Sequence, residues 1–357
     1  MAGETKQTAE IANLISKDIF SHFGWKRAGT SDHNFFGVPP PKETKKELKE
    51  DSESAEHIDN AKEEEAPEEP EIEGKLKEYP ADVVFWYDDP YYHRRTFIHF
   101  DLKSYGASSI TYKQIIKALR RLSSVIAVAD SSEDWSKKFA PNQSNYDING
   151  ALFVYNHDNK AGTRFSELFQ KIGAATIPIP EKKCVYVFSP ERISYLLSVV
   201  NDMERMKGSG HLPRSDEGEI SFFYPYGAKM KPQSNLLPYA TAEVLLGPLI
   251  ILRHRFKAKD KVPGYVLYYD GPGAEEEEFL FLFETILKRR LLTDVDTVQL
   301  RLVNPATNAA LVCRKAKDTF VAFYHDLDIF RQQVDRIDYS SVQSVVQNIS
   351  TIELGMK

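Results

Sequence analysis

Apolar positions divide this chain into amphipathic helical stretches, short apolar or alternating runs, and one long segment with neither pattern. Ile11, Leu14, Ile15, Ile19 and Phe23 recur at helical spacing, which predicts a helix over 9–23 stopped by Gly24. Trp25-Lys26-Arg27 can begin a short strand. Val83 to Trp86, and then Phe97, Ile98 and Phe100, are apolar runs on either side of Asp88-Asp89-Pro90, a turn signal, so 79–105 predicts a hairpin. A helix over about 111–122 follows, with Ile115, Ile116, Leu119 and Leu122 as its buried face. GALFVY over 150–155 reads as a buried strand, 165–172 as a short helix and 184–188 as a strand. Ser189-Pro190 then opens a helix that runs to about 206 and stops at Gly208-Ser209-Gly210.

Past that stop the pattern predicts strands at 220–224, 248–255, 264–269 and 297–303, and a helix over 275–291. The stretch 304–317 fits either a helix with Pro305 in its first turn or the return arm of a hairpin. Residues 330–337 and 341–349 read as helical. Asp270-Gly271-Pro272-Gly273 before a helix is not read as a phosphate loop, because Glu275 to Glu278 would repel an anion there. No internal repeat is evident. With 357 residues there is room for two domains, and the glycine-rich stop divides them into 1–208 and a second α/β unit over 209–357.

The patternless segment is about 42–78. It holds 15 acidic residues against 7 lysines, which makes it a disordered insertion or a solvated helix by composition. It also changes the meaning of the net charge. The whole chain is −6, yet the remainder outside this segment is +2, so basic patches remain possible on the folded part. Cys184 and Cys313 form no metal-ligand spacing and fit a reducing compartment. Met1 to Gln7 is polar and no apolar run approaches the length of a membrane span, so the expectation is a cytoplasmic protein with no membrane partner.

The candidate chemistry sits in the hairpin. On a strand, Asp101 and Lys103 share one face and Leu102 faces the other way, while Asp82 opens the neighbouring strand. Two carboxylates beside an ammonium suit a hard divalent cation, Mg²⁺ or Mn²⁺, and hydrolysis of a phosphodiester. The expected metal ligands are Asp82, Asp101 and the backbone carbonyl of Leu102. Lys103 can orient or deprotonate the attacking water, or stabilise charge on the phosphate; both roles stay open. An aspartate-x-lysine triplet alone is weak evidence, since Asp158-Asn159-Lys160 is a second match in a turn. The competing reading is a surface hairpin with an exposed ion pair.

Pro80, Asp82, Asp101 and Lys103, a P-x-D followed by D-x-K on the next strand, resemble the PD-(D/E)xK nuclease superfamily. Ala81 separates Pro80 from Asp82 and leaves the carboxylate in place. The resemblance covers roughly 8–156 and implies a restriction-endonuclease-like α/β core, an α-β-β-β-α-β mixed sheet, followed by the second α/β domain. It also implies that Glu10, in the leading helix, is a further catalytic residue and metal ligand; the alternative is a charge that complements the helix dipole. DNA contacts would come from Arg94 and Arg95 at the hairpin tip and from Lys113, Lys117, Arg120 and Arg121 on one helix face. Arg253 to Lys261 is a further basic segment, either a DNA track or a guarded sheet edge.

The chain is similar to bacterial anti-phage defence nucleases, restriction-like or GAPS-type. That implies a Mg²⁺-dependent DNA endonuclease acting on double-stranded DNA, with a second protein subunit or as a homodimer. The alternatives are a non-catalytic DNA-binding or assembly subunit of the same fold, or a ribonuclease.

Overall fold

The computed structural model describes residues 2–29, 33–39, 75–172, 177–225, 234–258, 262–293, 295, 297–323 and 328–344. The acidic segment up to 74 therefore lies outside the described residues. The chain first forms α1 (Ala2–His22), β1 (Lys26–Ala28), β2 (Phe35–Gly37), β3 (Lys77–Tyr79), β4 (Val83–Asp88) and β5 (Arg95–Tyr105). It continues through α2 (Tyr112–Ser131), α3 (Glu133–Phe139), β6 (Tyr146–Asn156), α4 (Arg164–Gln170), β7 (Val185–Phe188) and α5 (Pro190–Gly208). A mixed five-stranded sheet of order β1-β4-β5-β6-β7 results. Its first two pairings are antiparallel and its last two parallel.

The second half contributes β8 (Gly218–Phe223), β9 (Leu236–Leu237), α6 (Ala242–Leu246), β10 (Leu249–Phe256) and β11 (Gly264–Tyr269). After these come α7 (Glu276–Lys288), β12 (Thr297–Val303), α8 (Ala309–Phe323), α9 (Asp328–Asp335) and β13 (Ile337–Val342). They build a six-stranded sheet of order β13-β12-β11-β10-β8-β9.

Most elements stand where the hydrophobic period puts them, and the differences have tertiary causes. Lys77 and Glu78, read as the tail of the insertion, form β3 against β2, so an ordered strand closes that segment. The helix over 111–122 continues to Ser131 because Val125, Ile126, Val128 and Ala129 extend its buried face. The ambiguous 304–317 stretch is helical, but α8 begins at Ala309 and Pro305 lies in the loop before it. A helix over 341–349 is not found: Ile337–Val342 is a strand pairing parallel with β12, and the residues from 345 lie outside the described set. Ile337 and Val342 are buried, and only the far edge of β12 supplies their ladder.

Each sheet is covered on both faces. One cluster joins Ile19, Phe20 and Phe23 of α1, Phe85, Phe100 and Phe153 of the first sheet, and Leu196, Val200 and Met203 of α5 to Ile250, Val266 and Tyr268 of the second sheet. The core therefore runs through the Gly208 stop without a break. Phe20 lies stacked on Trp25, and the Trp25 indole N–H donates to the Ala240 carbonyl at 2.5 Å, tying the end of α1 to the second half. Gly24 makes this turn possible. Its φ is 79°, and a Cβ there would sit 2.3 Å from the Pro238 carbonyl oxygen. The outer faces carry α2–α4 on one side and α7–α9 on the other.

A buried ionic network locks α5 to the second sheet. Asp202 accepts from Arg301 at 2.5 and 2.7 Å, from the Tyr268 hydroxyl at 2.9 Å and from Arg205 at 2.8 Å. Asp202 is 3% and Arg301 6% exposed. Removing one partner leaves the other charge buried and unpaired, so Asp202→Ala is expected to cost about 3–5 kcal/mol. Lys137→Ala, which breaks an exposed pair with Glu133, should cost about 0.5 kcal/mol or less. Urea midpoints of the two variants would check this, and equal midpoints would refute the assignment.

Candidate active site

The β4–β5 ladder ends at Val83 opposite Phe100, so Asp82 follows across from Asp101 while β5 continues alone on that edge to Tyr105. Strand alternation sends Ile98, Phe100 and Leu102 into the cluster under α1 and sends His99, Asp101 and Lys103 toward α2. Asp101 is 6% exposed. The Lys103 ammonium is paired with its Oδ1, and its Oδ2 is buried with no partner. Asp82 accepts the Leu102 N–H at Oδ2, 2.7 Å away. The N–H and C=O of one strand residue lie on the same side, so the Leu102 carbonyl faces the same open edge. Asp82, Asp101, Lys103 and the Leu102 backbone are thus brought together.

Burial, and then the neighbouring Asp101 carboxylate, push the Asp82 carboxyl up to about 6; the Leu102 N–H, Lys103 and Arg121 offset only part of this. Two further residues complete the crevice. His99 is fully inside, its Nε2 3.1 Å from the Pro80 carbonyl, and burial pushes its imidazole down to about 4, which keeps the ring neutral. Its role is missed by reading the aspartate-x-lysine triplet alone, although its place two residues before Asp101 on the same strand face is a usable signal. Arg121, read from the sequence as part of a DNA-contacting stripe, lines the crevice itself with Leu122 and Val125.

The structure does not bring Glu10 to this group. It is exposed on α1, which packs against the opposite face of the sheet, and no hydrogen bond or ion pair joins it to Asp82, Asp101 or Lys103. Of the proposed DNA contacts, Lys113, Lys117, Arg120 and Arg121 are all exposed along α2. The hairpin-tip cations are engaged locally: Arg94 pairs with Asp147, and Arg95 pairs with Asp88 at 3.0 Å while lying 3.5 Å over the Trp86 ring.

The family model for the GAPS4 protein PD-(D/E)XK nuclease domain matches residues 1–192. The chain belongs to this family. No curated protein and no solved structure matches it. The matched part holds the whole first sheet and the opening of α5, and with them Asp82, Asp101 and Lys103. The α/β class and the nuclease-domain resemblance expected from the sequence are thereby shown. Among the described residues, no helix is long and apolar enough to cross a membrane.

Nucleases of this superfamily generally use divalent metals, and the donors present fit one. A buried, unpartnered carboxylate oxygen beside a second desolvated carboxylate leaves negative charge that Lys103 alone does not balance. Among the described residues no third His, Cys, Asp or Glu side chain joins the pair. That suits Mg²⁺, which is held through one or two carboxylates and keeps several waters. A cavity of about 390 Å³ lies elsewhere, between the ends of β6 and β12 and the start of α5. Of its carboxylates, Asp270 pairs with Arg192, and Glu191 accepts from Ser166 at Oε1 while its Oε2 is buried without a partner; among the described residues no second carboxylate and lysine stand beside it as at Asp101.

The raised Asp82 carboxyl has a stability consequence. The folded chain holds that proton more tightly than the unfolded chain, whose value is near 3.8, so the penalty is absent below about pH 4 and complete above about pH 6. A shift of this size is worth about 3 kcal/mol. Without divalent cations, Asp82→Asn should raise the melting temperature at pH 7.5 and leave it unchanged at pH 4. A lower melting temperature at pH 7.5 would contradict burial as the cause of the shift.

Proposed function

We propose that the N-terminal unit is a Mg²⁺- or Mn²⁺-dependent DNA endonuclease that hydrolyses phosphodiester bonds in duplex DNA. The observation that carries this reading is the buried, unpartnered Oδ2 of Asp101 beside Asp82, with Lys103 held at the other oxygen. The α1-β1-β4-β5-α2-β6 order supports a restriction-endonuclease-like core around that group.

Asp82, Asp101 and the Leu102 carbonyl would hold the cation, which when bound neutralises charge on the phosphate and acidifies water. Lys103 keeps a fixed positive charge on the face where the scissile phosphate must lie, placed to orient the attacking water and to balance charge that grows in the transition state. His99, neutral and bonded to Pro80, holds the chain before Asp82 against β5 and adds no competing charge. Arg121 continues the positive field from the crevice, and Lys117 and Lys113 carry it one and two turns further along α2, a track for the phosphate backbone. Glu10 enters this reading only if α1 or substrate moves it. The likeness to GAPS-type proteins supports a role in defence against phage DNA, met in the cytoplasm, with a second protomer or subunit as partner.

Purified protein should cut linear and closed-circular duplex DNA with Mg²⁺ or Mn²⁺ and not with EDTA. Asp101→Ala and Lys103→Ala should each slow cleavage about 100-fold or more. Asp101→Ala should still bind duplex, and Lys117→Glu should weaken binding in a salt-dependent way. Cleavage that survives EDTA or either site variant would sink the proposal. Tight duplex binding without cleavage in any metal would instead favour a non-catalytic DNA-binding or assembly subunit.

A further inference from the structure

The two sheets follow one path. In the first, β1, β4, β5, β6 and β7 lie side by side in chain order, with senses antiparallel, antiparallel, parallel, parallel. In the second, β8, β10, β11, β12 and β13 also lie side by side in chain order with the same four senses, and β9 is added outside β8. A helix precedes each set, α1 or α5, and packs on the face turned toward the other sheet. Helices of the later crossovers, α2–α4 or α7–α9, cover the outer face. The repeat absent from the sequence is present in the topology.

The chemistry is not repeated. β5 overruns its last β4 partner and carries Asp101 and Lys103 on the overhang, whereas β11 ends at Tyr269, already opposite Leu249, the first residue of β10. Counted from these last pairs, Pro248, Asp270 and Pro272 take the places of Asp82, Asp101 and Lys103. Asp270 turns toward α5, where Arg192 pairs with it at 2.9 Å, and its N–H donates to the Pro248 carbonyl. Counted one residue earlier, which preserves the helix-facing side, the set is Leu249, Tyr269 and Gly271, with the Tyr269 hydroxyl bonded to Glu278. Neither register yields two carboxylates or a lysine. The helices inserted at the same crossover also differ in charge: α2 exposes Lys113, Lys117, Arg120 and Arg121, while α7 exposes Glu277, Phe281, Glu284 and, at its last residue, Lys288 paired with Glu284.

We infer that the C-terminal half is a second nuclease-type unit with no cleavage centre, and that it does not meet DNA through the helix equivalent to α2. Each chain then carries one centre, breaks one strand per docking, and needs a second chain to cut a duplex through. This rests on the nuclease reading of the first unit, and two measurements on the full-length chain separate the two claims.

Mn²⁺ affinity followed by electron paramagnetic resonance should fall about tenfold or more in Asp101→Asn. It should stay within about twofold in Asp270→Asn, which keeps a hydrogen-bonding partner for Arg192. Closed-circular plasmid should pass through a nicked form, with the linear product rising more steeply than first order in protein. Glu277→Lys with Glu284→Lys should leave the rate of nicking unchanged, whereas Lys117→Glu should lower it. The inference is overturned if Asp270→Asn loses Mn²⁺ as Asp101→Asn does, if it removes cleavage left in Asp101→Asn, or if a chain that stays monomeric on DNA forms linear product without a nicked intermediate. Mn²⁺ bound in this pattern by a chain that cuts no DNA would end the nuclease reading and leave the silent second unit standing. Absence of any bound Mn²⁺ would overturn both claims, because the second unit is silent only by contrast with a first that binds the ion.

Discussion

The antiparallel ladder between β4 and β5 stops at Val83 and Phe100, and the character of the site follows from the part of β5 that continues beyond it. An unpaired strand edge must satisfy its backbone groups somehow. Here a side chain does it: Asp82 takes the Leu102 N–H, and in doing so is drawn beside Asp101. The same open edge turns the Leu102 carbonyl outward. Alternation along β5 then separates two tasks, with Phe100 and Leu102 anchoring the strand under α1 while Asp101 and Lys103 face the crevice under α2.

Two buried aspartates in this molecule differ in how their charge is answered. Asp202 lies deep between α5 and the second sheet with donors from Arg301, Arg205 and Tyr268, so its charge is answered on every side. Asp101 is nearly as buried and has one donor, Lys103, with its other oxygen unpartnered and a second carboxylate nearby. Repulsion and desolvation of this kind cost stability, and that uncompensated charge is the ground on which a cation is proposed there. The neutral His99 and the exposed Arg121 frame that site without cancelling its charge.

The shared core explains why the second half accompanies the first although the family match ends at 192. α1 and α5 lie between the sheets, and Phe23, whose ring meets Phe222 of the second sheet, would be uncovered if the halves were parted. The Gly208 turn therefore ends a helix without ending a core. In the second sheet β11 does not overrun β10, so no open edge recruits a carboxylate there, and backbone bonding from Asp270 to Pro248 closes the ladder instead.

The hairpin with Asp82, Asp101 and Lys103, the cap and proline that open α5, and the strands 264–269 and 297–303 are legible in the amino-acid sequence because their signals are local: period, turn residues and spacing. Other features depend on partners far along the chain. β13 is a strand because β12 offers it an edge, and β3 interrupts an acidic stretch because β2 lies opposite. Arg121 enters the crevice, and Glu10 stays on the other face, because of how helices seat on the sheet. The repeated strand path is the extreme case. It is specified by which edges pair and in which sense, and two unrelated sets of apolar residues satisfy that pairing equally well, so no residue pattern records it. Local chemistry is written in the order of the residues; which carboxylates meet was decided by packing.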